Sequence, residues 1–174
     1  AKNLMSIQSR GGGKTYSASG MVAHNYLFDG ATNYDFYLER KRLRKYLSSD
    51  TIVGAIDTKY SANLLSKVKV AFEHLPGNSE YLDIKYDAPL FSRYTGSLTP
   101  NKEATAIGSK SLIRHRTFKD NPLAANGTRP NLVVIDEVGF MNNIIEAWGS
   151  IESTQASKAK KNLVIMALGT GGLV

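Results

Sequence analysis

The run Gln8-Ser9-Arg10-Gly11-Gly12-Gly13-Lys14-Thr15, directly after the apolar segment Leu4-Met5-Ser6-Ile7, constrains this chain more than any other stretch. Consecutive glycines permit a turn tight enough to aim several backbone N–H groups at one anion. Lys14 adds a cation suited to β- and γ-phosphate oxygens, and Thr15 adds a hydroxyl able to ligate Mg²⁺. A helix expected from Thr15 to about Leu27 begins there, so its positive end faces the same point. The pattern Gly-x-x-x-x-Gly-Lys-[Ser/Thr] is incomplete, because Gln8 occupies the first glycine position. Alone, the stretch also fits a flexible glycine turn beside a surface lysine.

A second stretch completes the chemistry. Leu132-Val133-Val134-Ile135 is an apolar, β-branched run without alternation, followed by Asp136-Glu137. Such a run suits a parallel strand covered on both faces, and ligands of parallel sheets collect at the carboxyl ends of strands. Asp136 is expected to hold Mg²⁺, directly or through water, and Glu137 to polarise an attacking water. By itself the pair also fits an acidic turn capping a core strand. A third apolar run, Asn162 to Leu168, ends in Gly169-Thr170-Gly171-Gly172. In nucleotide hydrolases with a glutamate after the magnesium aspartate, an added strand lies between the glycine-loop strand and the acidic one. Thr170 fits the tip of that strand as a γ-phosphate sensor, and a plain glycine-rich exit turn is the alternative. The expected fold is therefore α/β: a P-loop NTPase fold of the additional-strand, catalytic-glutamate type, with a mainly parallel sheet flanked by helices.

Together these stretches resemble the ATPase domain of the tailed-phage large terminases, viral motors that drive double-stranded DNA into a preformed capsid. Ser9 to Thr15 resembles the deviant phosphate loop of that family, which often lacks the first glycine and carries an arginine near Arg10. Val133 to Glu137 resembles its acidic strand, and Gly169-Thr170-Gly171 its coupling motif. The resemblance implies Mg-ATP hydrolysis, a ring homo-oligomer on a capsid portal around double-stranded DNA, a small terminase subunit as a further partner, and residence in the infected host's cytoplasm. It also implies an upstream adenine-contacting segment and a downstream nuclease domain. Neither is legible here, so residues 1–174 read as a single ATPase domain, a fragment of a longer chain.

The expected site comprises Ser9, Arg10, Gly11, Gly12, Gly13, Lys14 and Thr15 around the phosphates, Thr15 and Asp136 on the metal, and Glu137, Arg10, Lys14 and Thr170 in the chemistry. Phosphoryl transfer gains much of its rate from cations on the γ-phosphate. Arg10 is placed to act on its own nucleotide, or else forms a structural ion pair. Arg129 either reaches a neighbouring subunit's site or is a solvent-facing turn residue.

Composition narrows the class. The 174 residues, 42% apolar and 21% charged, suit one domain. No apolar run approaches the roughly 18 residues of a membrane span, and no secretory leader is legible. The absence of cysteine excludes disulfides and thiolate metal sites, which is compatible with a reducing cytosol. His24, His74 and His115 are too scattered to suggest zinc. A formal charge of +7 suits a polyanionic partner, part of it lying in Arg40, Lys41, Arg42, Arg44 and Lys45 on a helix expected over Phe36–Leu47. That run either contacts DNA phosphates or an acidic neighbour, or is a solvated helix face.

Elsewhere, Thr51–Ile56 reads as a strand, and Ser61–Leu75 as a helix with Leu64, Val68, Ala71 and Leu75 on one stripe. Residues 81–118 read as a strand-rich insertion on the sheet edge. Its aromatics Tyr81, Tyr86, Phe91, Tyr94 and Phe118 either stack on bases or pair within the core. A helix is expected from Met141 to about Gln155. Two other functions remain compatible: a helicase-like DNA-directed ATPase, and a nucleotide-binding or ring-interface module that does not turn over alone. The latter gains weight if the first strand lies at the sheet edge with unpaired backbone groups.

Overall fold

The computed structural model describes residues 3–9, 11–27, 49–74, 85–87, 90–95, 107–154 and 163–170. The elements are β1 (Leu4–Gln8), α1 (Lys14–Leu27), β2 (Asp50–Ala55), α2 (Thr58–Glu73), β3 (Lys85–Asp87), β4 (Leu90–Thr95), β5 (Ile107–Thr117), β6 (Leu132–Asp136), a 3-10 turn (Val138–Phe140), α3 (Ile144–Ser153) and β7 (Val164–Thr170). They form one seven-stranded sheet in the order β1-β7-β6-β2-β5-β4-β3. The first five strands in that order run parallel, while β4 lies antiparallel to β5 and β3 antiparallel to β4.

The unalternated runs behave as parallel strands covered on both sides should. Along β6, Leu132 and Val134 join Val53, Met166 and Leu168 in one core with Val22 and Tyr26 of α1 and Leu64, Val68 and Phe72 of α2. Val133 and Ile135 face the other way, into a second core with Ile52, Ile165, Phe118, and Ala147 and Ile151 of α3. Of the stripe expected on α2, Leu64 and Val68 are buried and Ala71 is half-buried; the helix runs from Thr58 to Glu73, and Leu75 lies outside the described residues. Asp57 caps it, accepting the Lys59 N–H at 2.9 Å.

One expectation changes. The insertion over 81–118 is only partly an excursion: β3 and β4 do form an antiparallel edge, but Asp50–Ala55 of β2 pairs in parallel with Leu112–Thr117 of β5. Sequence patterning hid this strand because Arg114, His115 and Arg116 interrupt its apolar character. Phe118 is fully buried, which decides for it the core alternative over stacking on bases. The helix expected from Met141 to about Gln155 is present as α3, Ile144–Ser153, and a 3-10 turn at Val138–Phe140 precedes it. The loop at 29–33, the basic run at 40–45 and the side chains of Tyr81, Tyr86, Phe91 and Tyr94 lie outside what is described.

β1 is the edge strand of the parallel side, with Leu4, Met5 and Ile7 exposed at 45%, 65% and 65%. On β5, His115 Nδ1 lies 3.3 Å from the Ser61 hydroxyl of α2. Burial, then the neighbouring Arg116 charge, lower its proton affinity below the ordinary 6.5. The folded state therefore favours the neutral ring; this contribution is complete above pH 6.5 and is lost as pH falls through the lower folded-state value. Thermal unfolding across pH 7 to 5 should show the wild type losing more stability than His115→Gln, and parallel curves would refute this.

Candidate functional site

Where β1 ends, the backbone turns through Gly11 (φ 82°) and Gly13 (φ 77°), both left-handed. Between them Gly12 donates its N–H to the Ser9 carbonyl at 3.2 Å, and a Cβ there would press on that same oxygen at 3.2 Å. Two glycines are thus favoured by conformation, and at the third a side chain would crowd the backbone. The Ser17 N–H then bonds the Gly13 carbonyl at 3.0 Å, so α1 starts directly at Lys14 and leaves the loop at its positive end.

β6 carries Asp136 to its carboxyl tip, where the residue is only 5% exposed. Glu137 follows at φ 55° and ψ 43°, the sole non-glycine residue with positive φ among those described. Left-handed backbone in a glutamate costs on the order of 1 kcal/mol or more and commonly marks functional positions. β7 lies between β1 and β6, pairing Gln8 with Thr170 on one side and Ile135 with Ala167 on the other. Thr170 therefore ends beside both the glycine loop and the acidic tip.

The side chains converge there. Lys14 Nζ donates to Glu137 Oε1 at 3.1 Å and to Thr170 Oγ1, and lies 3.8 Å from Asp136 Oδ1. The Thr170 hydroxyl stands 2.9 and 2.7 Å from the two Glu137 carboxylate oxygens. Asp136 Oδ1 accepts the Glu137 N–H at 3.0 Å. Burial raises the Asp136 pKa above 3.8, with the Glu137 carboxylate adding to the effect; the Glu137 N–H and the charges of Lys14 and Lys67 oppose it. One buried ammonium thus faces two carboxylates, and a further cation would find uncompensated negative charge. Among the described residues no group of three or more His, Cys, Asp or Glu forms a metal cluster. Asp136 and the half-buried Thr15, next to Lys14 in the chain, would make a sparse oxygen set of the kind Mg²⁺ takes when it shares its coordination with phosphate and water.

Lys14, Asp136, Glu137 and Thr170 are thus brought together, with Gly11 to Gly13 and Thr15 adjacent in the chain. Ser9 is exposed at the loop entrance; Arg10 and Gly171 lie outside the described residues. Arg129 is not at this tip. Its backbone N–H bonds Asp50, which begins β2 at the opposite end of the parallel strands. Sequence reasoning missed Lys67, which sits 5.3 Å over the Tyr16 ring, 3.0 Å from Asn63 Oδ1, and bears on Asp136. Its position depends on how α1 packs against α2, and only its helical phase relative to Leu64 and Val68 could have placed it beside the buried face.

A parallel sheet with a glycine turn entering a helix from one strand, an acidic strand tip and an added strand between them is the P-loop NTPase fold. It is the fold of the large terminase ATPase domains. The structure is similar over 99% of its length to the Thermus phage P74-26 large terminase ATPase domain, with a TM-score of 0.59 and 16% identity, and covers 61% of that chain. Over 96% of its length it is similar to the large terminase of bacteriophage HK97, with a TM-score of 0.58 and 15% identity, covering 29% of that chain. No protein-family model and no curated protein matches the sequence.

Proposed function

We propose that residues 1–174 form one ATPase domain of a tailed-phage large terminase, which hydrolyses the β–γ bond of ATP and uses the energy to move double-stranded DNA into a capsid. The observation that carries this reading is the meeting of Lys14 with Glu137 and Thr170, partners 123 and 156 residues away in sequence. The loop amides of Gly11 to Gly13 and Lys14 hold the phosphates, with Ser9 at the loop entrance. Arg10 supplies a further cation to the γ-phosphate. Thr15 and Asp136 hold Mg²⁺, which when bound neutralises charge on the phosphate oxygens. Glu137 accepts a proton from the attacking water, and Thr170 stands where loss of the γ-phosphate is registered.

The charge of +7 supports a DNA partner, and the terminase-like fold supports a ring on a capsid portal, with a small terminase subunit as a further component. No described helix is long and apolar enough to cross a membrane, in keeping with action in the host cytoplasm. A second reading, a nucleotide-binding or ring-interface module without turnover of its own, is favoured by the exposed apolar edge at β1. Phosphate release from Mg-ATP, measured with and without double-stranded DNA, separates the two. Lys14→Ala should weaken Mg-ATP binding at least about tenfold, as expected for loss of a charge-assisted contact of roughly 1.5–3 kcal/mol. Unchanged binding would remove the phosphate-site reading. Strand separation without portal dependence would instead favour a helicase.

A further inference from the structure

Lys14 carries only donors, so in its contact with Thr170 the threonine oxygen accepts. The hydroxyl hydrogen must then go to an acceptor, and both nearby candidates, at 2.9 and 2.7 Å, belong to the Glu137 carboxylate. The polarity is thereby set: Lys14 donates to Thr170, and Thr170 donates to Glu137. Lys14 also donates directly to Glu137 at 3.1 Å. An ammonium has three hydrogens: two serve Glu137 and Thr170, and the third, on the side of Asp136 at 3.8 Å, is open to a phosphate oxygen. Of the two side-chain groups that hold the Glu137 carboxylate, Lys14 also serves the phosphates in this reading, whereas the threonine hydroxyl hydrogen serves Glu137 alone.

We propose that Thr170 is a positioning residue for the Glu137 carboxylate, acting through Glu137 rather than by touching phosphate. This rests on the reading of the site as a phosphoryl-transfer centre and changes one part of it, since a sensor of γ-phosphate would address the nucleotide directly. Glu137 needs such a hold. Its backbone has left the strand in a left-handed conformation, and its side chain is 18% exposed. Thr170 is well placed to supply the hold, because β7 pairs with β6 as far as Ala167 and with β1 up to Thr170 itself.

The test compares Thr170→Val, which keeps shape and removes the hydroxyl, with Thr170→Ser, which keeps the hydroxyl. For Mg-ATP hydrolysis by the full chain, Thr170→Val should lower kcat by about 10- to 100-fold with KM within about twofold, the scale of a slightly misplaced catalytic group. Thr170→Ser should stay within about threefold of wild type, and the ratio of ATP to ADP affinity should be unchanged in both. A thermal-unfolding double-mutant cycle of Thr170→Val with Glu137→Ala should be non-additive, which reports the contact without turnover. Wild-type kcat in Thr170→Val, a loss of ATP-over-ADP preference, failure of serine to rescue, or strict additivity in the cycle each overturn the positioning role. Absence of turnover in the wild type with a non-additive cycle counts instead against the hydrolytic reading and leaves the Thr170–Glu137 hold standing.

Discussion

Glu137→Gln is expected to lower Mg-ATP turnover by about 10²- to 10⁴-fold, the usual range for removing a general base, while nucleotide binding persists. Glutamine keeps the shape of the side chain. Its amide oxygen can still accept from Thr170 and Lys14, which stand 2.7–2.9 Å and 3.1 Å from the carboxylate oxygens. What disappears is the negative charge and the capacity to take a proton from water. The exchange also removes one of the two carboxylates that face the Lys14 ammonium. Lys14 then turns toward phosphate at lower cost, so affinity for ATP should be equal to or tighter than that of the wild type. Single-turnover hydrolysis and equilibrium binding of ATP, measured on the same preparation, decide it. Turnover within a few-fold of wild type would take Glu137 off the reaction, and the proposed mechanism with it.

The largest effect on the fold itself is expected at Phe118. This residue is fully buried, and its N–H bonds the Ala55 carbonyl at 3.0 Å, so it extends the β2–β5 ladder past the last residue of β5. Its ring lies directly on Gly54, where an added Cβ would overlap the ring atoms. Gly54 pairs with Ile135, one residue before Asp136, so the ring also backs the strand that delivers the acidic pair. Phe118→Ala removes an aromatic side chain from this close-packed position and should cost about 3–5 kcal/mol. For a domain of this size that corresponds to a drop in Tm of roughly 6–20 °C. The converse exchange, Gly54→Ala, should cost about 1–3 kcal/mol by overpacking. Combining it with Phe118→Leu should cost less than the sum, because the two residues share one volume. Calorimetry settles the matter: a Tm change of only a degree or two for Phe118→Ala would mean that the ring is not part of the core.

Much of the architecture was legible because its signals are local. Unalternated apolar runs at Leu132–Ile135 and Leu163–Leu168 marked parallel strands, and the spacing of Leu64, Val68 and Ala71 marked α2. The placement of an added strand between the glycine-loop strand and the acidic one was likewise expected and is observed. Other features were not legible. β5 looked like part of an edge insertion because its charged residues mask a strand whose Ile113 is fully buried. The 3-10 turn after Glu137 was another, since it passes Val138 and Met141 into the core that α3 covers.

Residue chemistry alone settled which groups are on hand: a glycine turn, a lysine, a hydroxyl and two carboxylates, each next to a recognisable strand or helix start. Folding settled how they meet. It placed Thr170 against Glu137 instead of merely near a phosphate, set Arg129 at the far end of the sheet, and left β1 as an exposed edge. The reason is physical: the hydrogen-bond partners of this site are separated by 33 to 156 residues, and a side chain's periodicity reports its own face, never the strand that will lie beside it.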